Sequence, residues 1–298
     1  MDTVDDSSIG ILEYSRIRIN HFLKGSAPGA AEFTRLIEGI GDTPYYVPRV
    51  VSTNDLLKSQ IRNVITSPRF VVSDGQTRGK GTGDRIWVDR YGQDVIFSFA
   101  VDIAEHPRRN LLSLLAGAAA AENISSLTGV DILIKWPNDL VVGRRKLGGI
   151  LIEVVRSSVA IVGVGINIRS RFTDFPEDLK SSATSLIEEM PGTVAPNNLC
   201  WNGLLDRLPI LIAAAGGAFL AAATREHAVI DKLVGILSRR DRTPGTLKHR
   251  KESDGSMSTV ECRGIDLDTG ELIVRESDGS LIRISSAADL VAPGSNDS

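Results

Sequence analysis

Lys135-Trp136-Pro137-Asn138-Asp139-Leu140-Val141-Val142-Gly143-Arg144-Arg145-Lys146-Leu147-Gly148-Gly149-Ile150-Leu151-Ile152-Glu153 is the stretch around which this 298-residue chain is organised. The apolar runs Ile132-Leu133-Ile134 and Gly149-Ile150-Leu151-Ile152 flank a polar centre containing Gly143-Arg144-Arg145, which predicts paired strands joined by a short turn. Those strands contain residues that strands disfavour. Pro137 cannot donate to a ladder, Asn138 and Asp139 have low strand propensity, and Gly148-Gly149 surrender side-chain packing. Local rules broken together point to a site that does chemistry.

Working outward, Ser52-Thr53-Asn54-Asp55 is a helix-capping cluster before Leu56-Leu57-Lys58-Ser59-Gln60-Ile61. Phe70-Val71-Val72, Ile86-Trp87-Val88 and the run from Val95 to Val101 read as strands, with a glycine-rich loop from Asp74 to Arg85 between the first two. An Ala/Leu helix is predicted from Asn110 to Leu127, ending before Gly129, and a further strand from Val159 to Ile168. A largely helical block from Asp178 to about Leu237 follows, broken at Pro209. Arg239-Arg240-Asp241-Arg242 and Lys248-His249-Arg250-Lys251 read as a basic linker that either meets an acidic acceptor or is simply solvated. Short strands with Thr269-Gly270 and Asp278-Gly279 turns then predict a small β-barrel. Before Val47, Arg16-Ile17-Arg18-Ile19 alternates like a strand and Phe33 to Ile40 has helical spacing.

Composition narrows the class. Apolar residues make up 42% and charged residues 24%, the balance of an ordinary globular protein. A net charge of -3 and a pI near 5.9 give no reason to expect nucleic-acid binding. Cys200 and Cys262 have no metal-type spacing and are expected to be reduced thiols. No signal peptide is expected. The uncharged run from Leu208 to Ala223 falls short of the ~20 residues of a membrane span, is rich in Ala and Gly, and contains Pro209. It is expected to be a buried helix, and the protein cytoplasmic.

Gly79, Gly81 and Gly83, alternating with Lys80 and Thr82, would let backbone N–H groups approach an anion, or would serve equally as a flexible surface loop. The loop is neither a Walker A sequence nor a dinucleotide fingerprint. Lys146 is either part of a solvated basic turn or, with Gly148-Gly149 clearing space beside it, a cation for a carboxylate and a phosphate. Asp139 and Asn167 sit at strand ends, where capping alone would explain them. His21, His106, His227 and His249 share no motif, and no nucleophile elbow is present.

In order, Ser52-Thr53-Asn54, then Gln76 to Gly83 with Trp87, then Lys135 to Leu140, then Lys146 to Leu151, then Gly163-Val164-Gly165-Ile166-Asn167 resemble biotin protein ligases of the monofunctional type, without the DNA-binding winged helix. The resemblance covers about Val50 to Arg169. It extends loosely to Arg263-Gly264-Ile265-Asp266 and neighbouring strands, which look like the family's SH3-like C-terminal domain. It implies an α+β fold: a catalytic domain related to class II aminoacyl-tRNA synthetases, a mixed sheet flanked by helices, plus a small SH3-like β-barrel. The expected organisation is an N-terminal extension (1–46), a catalytic domain (47–237) and a C-terminal domain (238–298).

The implied activity is Mg-ATP-dependent conversion of biotin to biotinyl-5′-AMP and transfer of biotin to a lysine of a biotin carboxyl carrier domain, with a homodimer left open. Carried over, Ser52, Thr53, Asn54, Gln76, Lys80, Gly81, Thr82, Lys146, Gly149 and Gly165 surround biotin. Gly79, Lys80, Thr82, Trp87, Asn138, Lys146 and Asn167 meet ATP and the adenylate. Lys146 and Lys80 are the implied catalytic residues, and Asp139, from its strand-end position, is expected to join them by orienting the acceptor amine; no metal ligand is assigned. Lys80 and Thr82 depart from the arginines of the family's loop, which removes bidentate phosphate contacts. A lipoate ligase and a biotin-sensing protein without turnover are the competing readings.

Overall fold

The structure, a computed structural model, describes residues 45–62, 70–103, 109–156, 159–190, 227–252, 254 and 256–291. The expected strand at Arg16–Ile19, the helix at Phe33–Ile40 and the apolar run from Leu208 to Ala223 lie outside them. Among the described residues no helix is long and apolar enough to cross a membrane.

A seven-stranded sheet carries the architecture. Its strands are β1 (Tyr45–Val47), β2 (Phe70–Ser73), β5 (Val95–Asp102), β6 (Leu133–Lys135), β7 (Asp139–Val142), β8 (Arg145–Arg156) and β9 (Val159–Ile166), in the order β1-β2-β5-β9-β8-β7-β6. β1 and β2 run parallel and the other pairs antiparallel, so the sheet is mixed. A separate hairpin pairs β3 (Gly79–Lys80) with β4 (Ile86–Trp87).

Strand alternation gives the sheet two different faces. Phe97, Phe99, Ile150, Val162, Val164 and Ile166 point to one face and join the main core. There the helix α2 (Leu112–Thr128) packs; from Leu114 to Ala121 it is apolar on every side, because it lies between the sheet and another helix. Gly129 ends it with φ 73°, its N–H returning to the Ser125 carbonyl at 2.8 Å. The opposite face meets α1 (Thr53–Arg62), where Leu57, Val71 and Ile161 form a smaller cluster. Ser52 caps α1, its hydroxyl oxygen accepting from the Asp55 N–H at 3.4 Å.

Three sequence expectations are corrected. The central stretch is not one hairpin but two, because Trp136-Pro137-Asn138 turns the chain and Asp139 opens a new strand opposite Lys135. Asp178 to Ser185 is turns rather than helix, and the described helices of that block are α3 (Leu186–Glu189) and α4 (His227–Arg240). The basic run is not a linker. Arg239 and Arg240 close α4, with Arg240 bonded to Glu122 and the Ile132 carbonyl, and Lys248 to Lys251 lie in a strand, with Arg250 paired to Glu276. A run of consecutive basic side chains reads as a linker locally, but here it forms a strand paired on both sides, with β11 and β14.

That strand, β10 (Leu247–Lys251), belongs to an antiparallel sheet with β11 (Met257–Ile265), β12 (Leu272–Arg275), β13 (Leu281–Ile284) and β14 (Leu290–Val291), ordered β13-β12-β11-β10-β14. Its Val260, Cys262, Leu272, Val274 and Ile284 share a single apolar cluster with α2 and the large sheet. The Trp136 indole N–H donates to the Gly270 carbonyl at 3.0 Å, and the Arg242 N–H to the Ile134 carbonyl at 2.7 Å. The C-terminal sheet is therefore fastened at the β6–β7 turn.

The chain on either side of the β5–β9 pair is tied by Asp94, only 8% exposed. Its carboxylate accepts from the N–H groups of Arg90 (2.9 Å) and Ile168 (3.0 Å) and from the Ser170 hydroxyl (3.0 Å). Burial raises its pKa from 3.8 to about 6, against those hydrogen bonds, with Asp89 adding repulsion. The folded chain keeps this proton up to about pH 6 while the unfolded chain releases it near 3.8, so the group favours folding at low pH and that contribution is lost between pH 3.8 and 6. Urea unfolding of wild type and Asp94→Asn at pH 4, 5, 6 and 7 should show wild type gaining about 2 kcal/mol on the variant as pH falls. A difference independent of pH would refute the assignment.

Candidate active site

The α1 side of the sheet is stripped of side chains where three strands meet. Register places Ile96, Gly165, Gly149 and Asp139 in one row across β5, β9, β8 and β7, with Ser98, Gly163 and Leu151 in the next. Alternation sends all of these to the same face. A cavity of about 360 Å³ opens above that bare backbone.

Lys146 reaches this face only because the β7–β8 ladder slips. Asp139 pairs with Gly149 and Leu140 with Gly148, but Val141 pairs with Lys146, leaving Leu147 as the extra residue of a β-bulge. Regular alternation from Gly149 would turn Lys146 into the core; the bulge returns it to the cavity while Leu147 stays fully buried. Gly148 is required there, since a Cβ would lie 2.6 Å from the Gly165 carbonyl oxygen. Lys146 Nζ stands 2.6 Å from Asp139 Oδ1. Its backbone pairs with the chain at Ser182 and Thr184, which brings Leu179, Ser182 and Ala183 in as a wall.

At the other end the cavity is walled by buried polar groups: Ser52, Thr53 and Asn54, each 3% exposed or less. The Gln76 Oε1 accepts from the Thr53 N–H at 2.9 Å, and the Gln76 N–H donates to Asp89 at 2.9 Å. Burial raises the Asp89 pKa, and the Gln76 and Arg49 contacts oppose that shift. Beneath lie Ser98, fully buried, and Glu153, which takes hydrogen bonds from Asn54 (2.9 Å) and Lys58 (2.6 Å). Burial works to raise the Glu153 pKa, but the Lys58 and Asn54 hydrogen bonds and the charges of Lys58 and Lys80 outweigh it and hold the carboxyl below its usual range.

The β3–β4 hairpin forms the roof. Gly79 packs where a Cβ would meet the Trp87 carbonyl at 2.6 Å. Lys80 pairs with Asp55, and the Asn138 amide donates to the Thr82 hydroxyl at 3.0 Å and to the Ile150 carbonyl at 2.7 Å. The Trp87 indole lies on the glycine floor, where a Gly165 Cβ would sit 2.5 Å from its ring, and Lys146 Nζ lies 5.9 Å from the ring centroid. The indole N–H is buried with no acceptor among the described residues. Asn167 holds the rim, its amide donating to the Thr184 carbonyl at 2.9 Å.

Ser52, Thr53, Asn54, Gln76, Lys80, Gly81, Thr82, Trp87, Asn138, Asp139, Lys146, Gly149, Gly165 and Asn167 all line this one cavity; Gly79 supports it from behind. Sequence reasoning missed Gly163, where a Cβ would come within 2.3 Å of Asn54 Oδ1, together with Ser98 and Glu153. The sequence offered one signal for Gly163, its place two residues before Gly165 in the same strand. Among the described residues no cluster of three or more His, Cys, Asp or Glu side chains could hold a metal ion.

Comparison with known proteins places this geometry. Residues 46–168 match the Biotin/lipoate A/B protein ligase family. The chain is 33% identical over 159 residues to the bifunctional ligase/repressor BirA of Bacillus spizizenii, covering 50% of this chain and 47% of that protein. It is 33% identical over 168 residues to the biotin–[acetyl-CoA-carboxylase] ligase of Mycobacterium tuberculosis, covering 54% of this chain and 59% of that one. The chain thus spans about half the length of the curated relatives it matches. The solved structure of biotin protein ligase from Aquifex aeolicus in complex with biotin and ATP superposes with a TM-score of 0.62 at 22% identity, over 83% of this chain and 96% of that one, which establishes a shared fold.

Proposed function

We propose that the chain belongs, through residues 46–168, to the biotin/lipoate A/B protein ligase family, and that it activates biotin with ATP and transfers it to a lysine of a biotin carboxyl carrier domain. The observation that carries this reading is the bulge that sets Lys146 beside the glycine-cleared floor, next to Asp139. A long apolar ligand with a polar ring at one end and a carboxylate at the other fits a cavity lined at its buried end by the uncharged Ser52, Thr53 and Asn54 and at its open end by Lys146. The five-stranded C-terminal sheet is read as the family's SH3-like barrel, and residues 238–298 as that domain.

In the first step the biotin carboxylate attacks the α-phosphorus of ATP, pyrophosphate leaves, and biotinyl-5′-AMP forms. Two anions must meet, so Lys146 is assigned to the carboxylate and then the phosphoryl oxygens, with Lys80 and the N–H groups of the glycine loop assisting. Mg²⁺, entering with the nucleotide, supplies further charge neutralisation. Gly149 and Gly165 let the adenylate lie against backbone, Trp87, Asn138 and Asn167 bound the nucleotide side, and the roof hairpin shields the anhydride from water. In the second step the acceptor amine attacks the acyl carbon and AMP departs. Once the adenylate engages Lys146, Asp139 is released from its ion pair to orient the amine and take its proton.

The defining assay is biotin-dependent exchange of pyrophosphate into ATP, followed by transfer to a carrier domain. Exchange with lipoate alone, or biotin binding without exchange, would replace the proposal by one of its competitors. Asp139→Asn should slow transfer from preformed biotinyl-AMP by about 10²-fold or more while exchange falls far less; unchanged transfer removes Asp139 from that role.

The loop departure has its own consequence. Lys80 is drawn toward Asp55 and Glu153, and Thr82 offers one hydroxyl, already bonded to Asn138, where the family has arginines. Labelled biotinyl-AMP should leave this protein faster than it leaves an arginine-loop ligase, measured by dilution into unlabelled adenylate. Equal retention would refute it.

A further inference from the structure

Beneath the buried end of the cavity the hydrogen bonds form one chain, and counting protons fixes its direction. Asn54 Nδ2 faces Glu153 Oε2 at 2.9 Å, while Asn54 Oδ1 faces the Ser98 hydroxyl oxygen at 2.6 Å. Ser98 in turn lies 2.7 Å from the Thr53 hydroxyl oxygen. Thr53 then approaches Gln76 Oε1, with 3.2 Å from its hydroxyl and 2.9 Å from its N–H.

An ionised carboxylate accepts only, so the Asn54 amide must present its NH₂ to Glu153 and its oxygen to Ser98. That oxygen cannot donate, so the single Ser98 proton goes to Asn54. The Ser98–Thr53 contact then needs a proton that only Thr53 can supply. With its proton committed to Ser98, Thr53 has only lone pairs left to offer a ligand. Gln76 Oε1 is taken by the Thr53 N–H, which leaves the Gln76 NH₂ as a donor. Two features hold the origin of the chain in place. Lys58, in salt bridge at 2.6 Å, keeps Glu153 charged, and bare backbone at Gly163 gives Asn54 room to lie flat.

The geometry points to Glu153 as a positioning residue that sets a one-way relay through Asn54 and Ser98, so that Thr53 accepts a ligand N–H while Gln76 donates to a ligand carbonyl. The ligand this end selects is a cyclic urea or amide offering N–H and C=O side by side. The inference rests on the proposed function and deepens it: Glu153 touches neither biotin nor ATP in this scheme, yet decides the polarity of the surface on which the biotin ring rests.

The test compares wild type with Glu153→Gln, which keeps size and can still bond Asn54 but in either direction. Biotin and ATP affinities are measured by titration calorimetry, and preference for biotin over an analogue methylated on the ureido nitrogen by competition. For Glu153→Gln, biotin affinity should fall about tenfold, the worth of one net hydrogen bond, and the preference over the methylated analogue should shrink with it. ATP affinity and kcat should stay within about twofold, as a uniform loss of ground-state binding requires. Ser98→Ala cuts the chain downstream of Glu153 and should reproduce the biotin-specific loss, which keeps the idea testable if Glu153→Gln does not fold. Unchanged biotin affinity in both variants, or parallel loss of biotin and ATP binding with a fall in Tm, overturns the relay. Failure of wild type to bind biotin instead overturns the functional reading beneath it.

Discussion

A ligand that rests against the face of a β-sheet needs strands that carry no side chains there and yet do not come apart. Gly149 and Gly165, paired across β8 and β9, meet the first requirement, and Gly163 extends the bare patch toward Asn54. Each glycine weakens a strand by roughly 0.5–1 kcal/mol relative to alanine. The second requirement is met from the other face of the same strands, where Ile150, Val162, Val164 and Ile166 pack under α2. The long, almost wholly apolar α2 is best understood as the counterpart of the glycine floor. The bulge at Leu147 lets one strand serve both faces, since Leu147 and Lys146 are neighbours in sequence and point to opposite environments.

The β6–β7 turn has a similar double role. Trp136 donates to Gly270 in the C-terminal sheet, while two residues later Asn138 bonds to both the carbonyl and, through its own carbonyl, the N–H of Ile150 in β8. The same turn therefore fastens the C-terminal sheet and fixes the strand that carries Lys146 and Gly149. The C-terminal sheet is linked to Asp139 through the Trp136–Gly270 hydrogen bond, three residues before Asp139 in the chain.

What the sequence made legible follows the range of the interactions. Gly148-Gly149 and Pro137-Asn138-Asp139 broke strand rules within a few residues of one another, so they were visible as a site. The caps at Ser52 and Gly129 were local too. Ser98 was hidden because an isolated serine in Val95-Ile96-Phe97-Ser98-Phe99-Ala100-Val101 reads as an ordinary strand residue; its partners stand 44 and 45 positions away. Glu153 was read only as the end of a strand, since Lys58 and Asn54 reach it across 95 and 99 positions. The basic run from Arg239 to Lys251 was misread for the same reason: Glu122 and Glu276, which neutralise it, are distant in the chain.

The two ends of the cavity differ in how they handle polarity, and that difference orients whatever lies between them. At the buried end Thr53, Asn54 and Ser98 are shielded from water, where a mismatched donor or acceptor is expensive and direction is therefore enforced. At the open end Lys146 is about two-fifths exposed, so its charge is screened and its ion pair with Asp139 can be exchanged for that of an incoming anion. Recognition of a neutral ring by fixed hydrogen bonds and capture of a charged tail by exchangeable ion pairs are thus separated along one groove. Reversing the ligand would place a carboxylate against the lone pairs of Thr53 and near the negative charge of Glu153, and would leave Lys146 facing a neutral ring. Only one direction satisfies both ends, and it delivers the carboxylate to the site where Lys146 and the nucleotide meet.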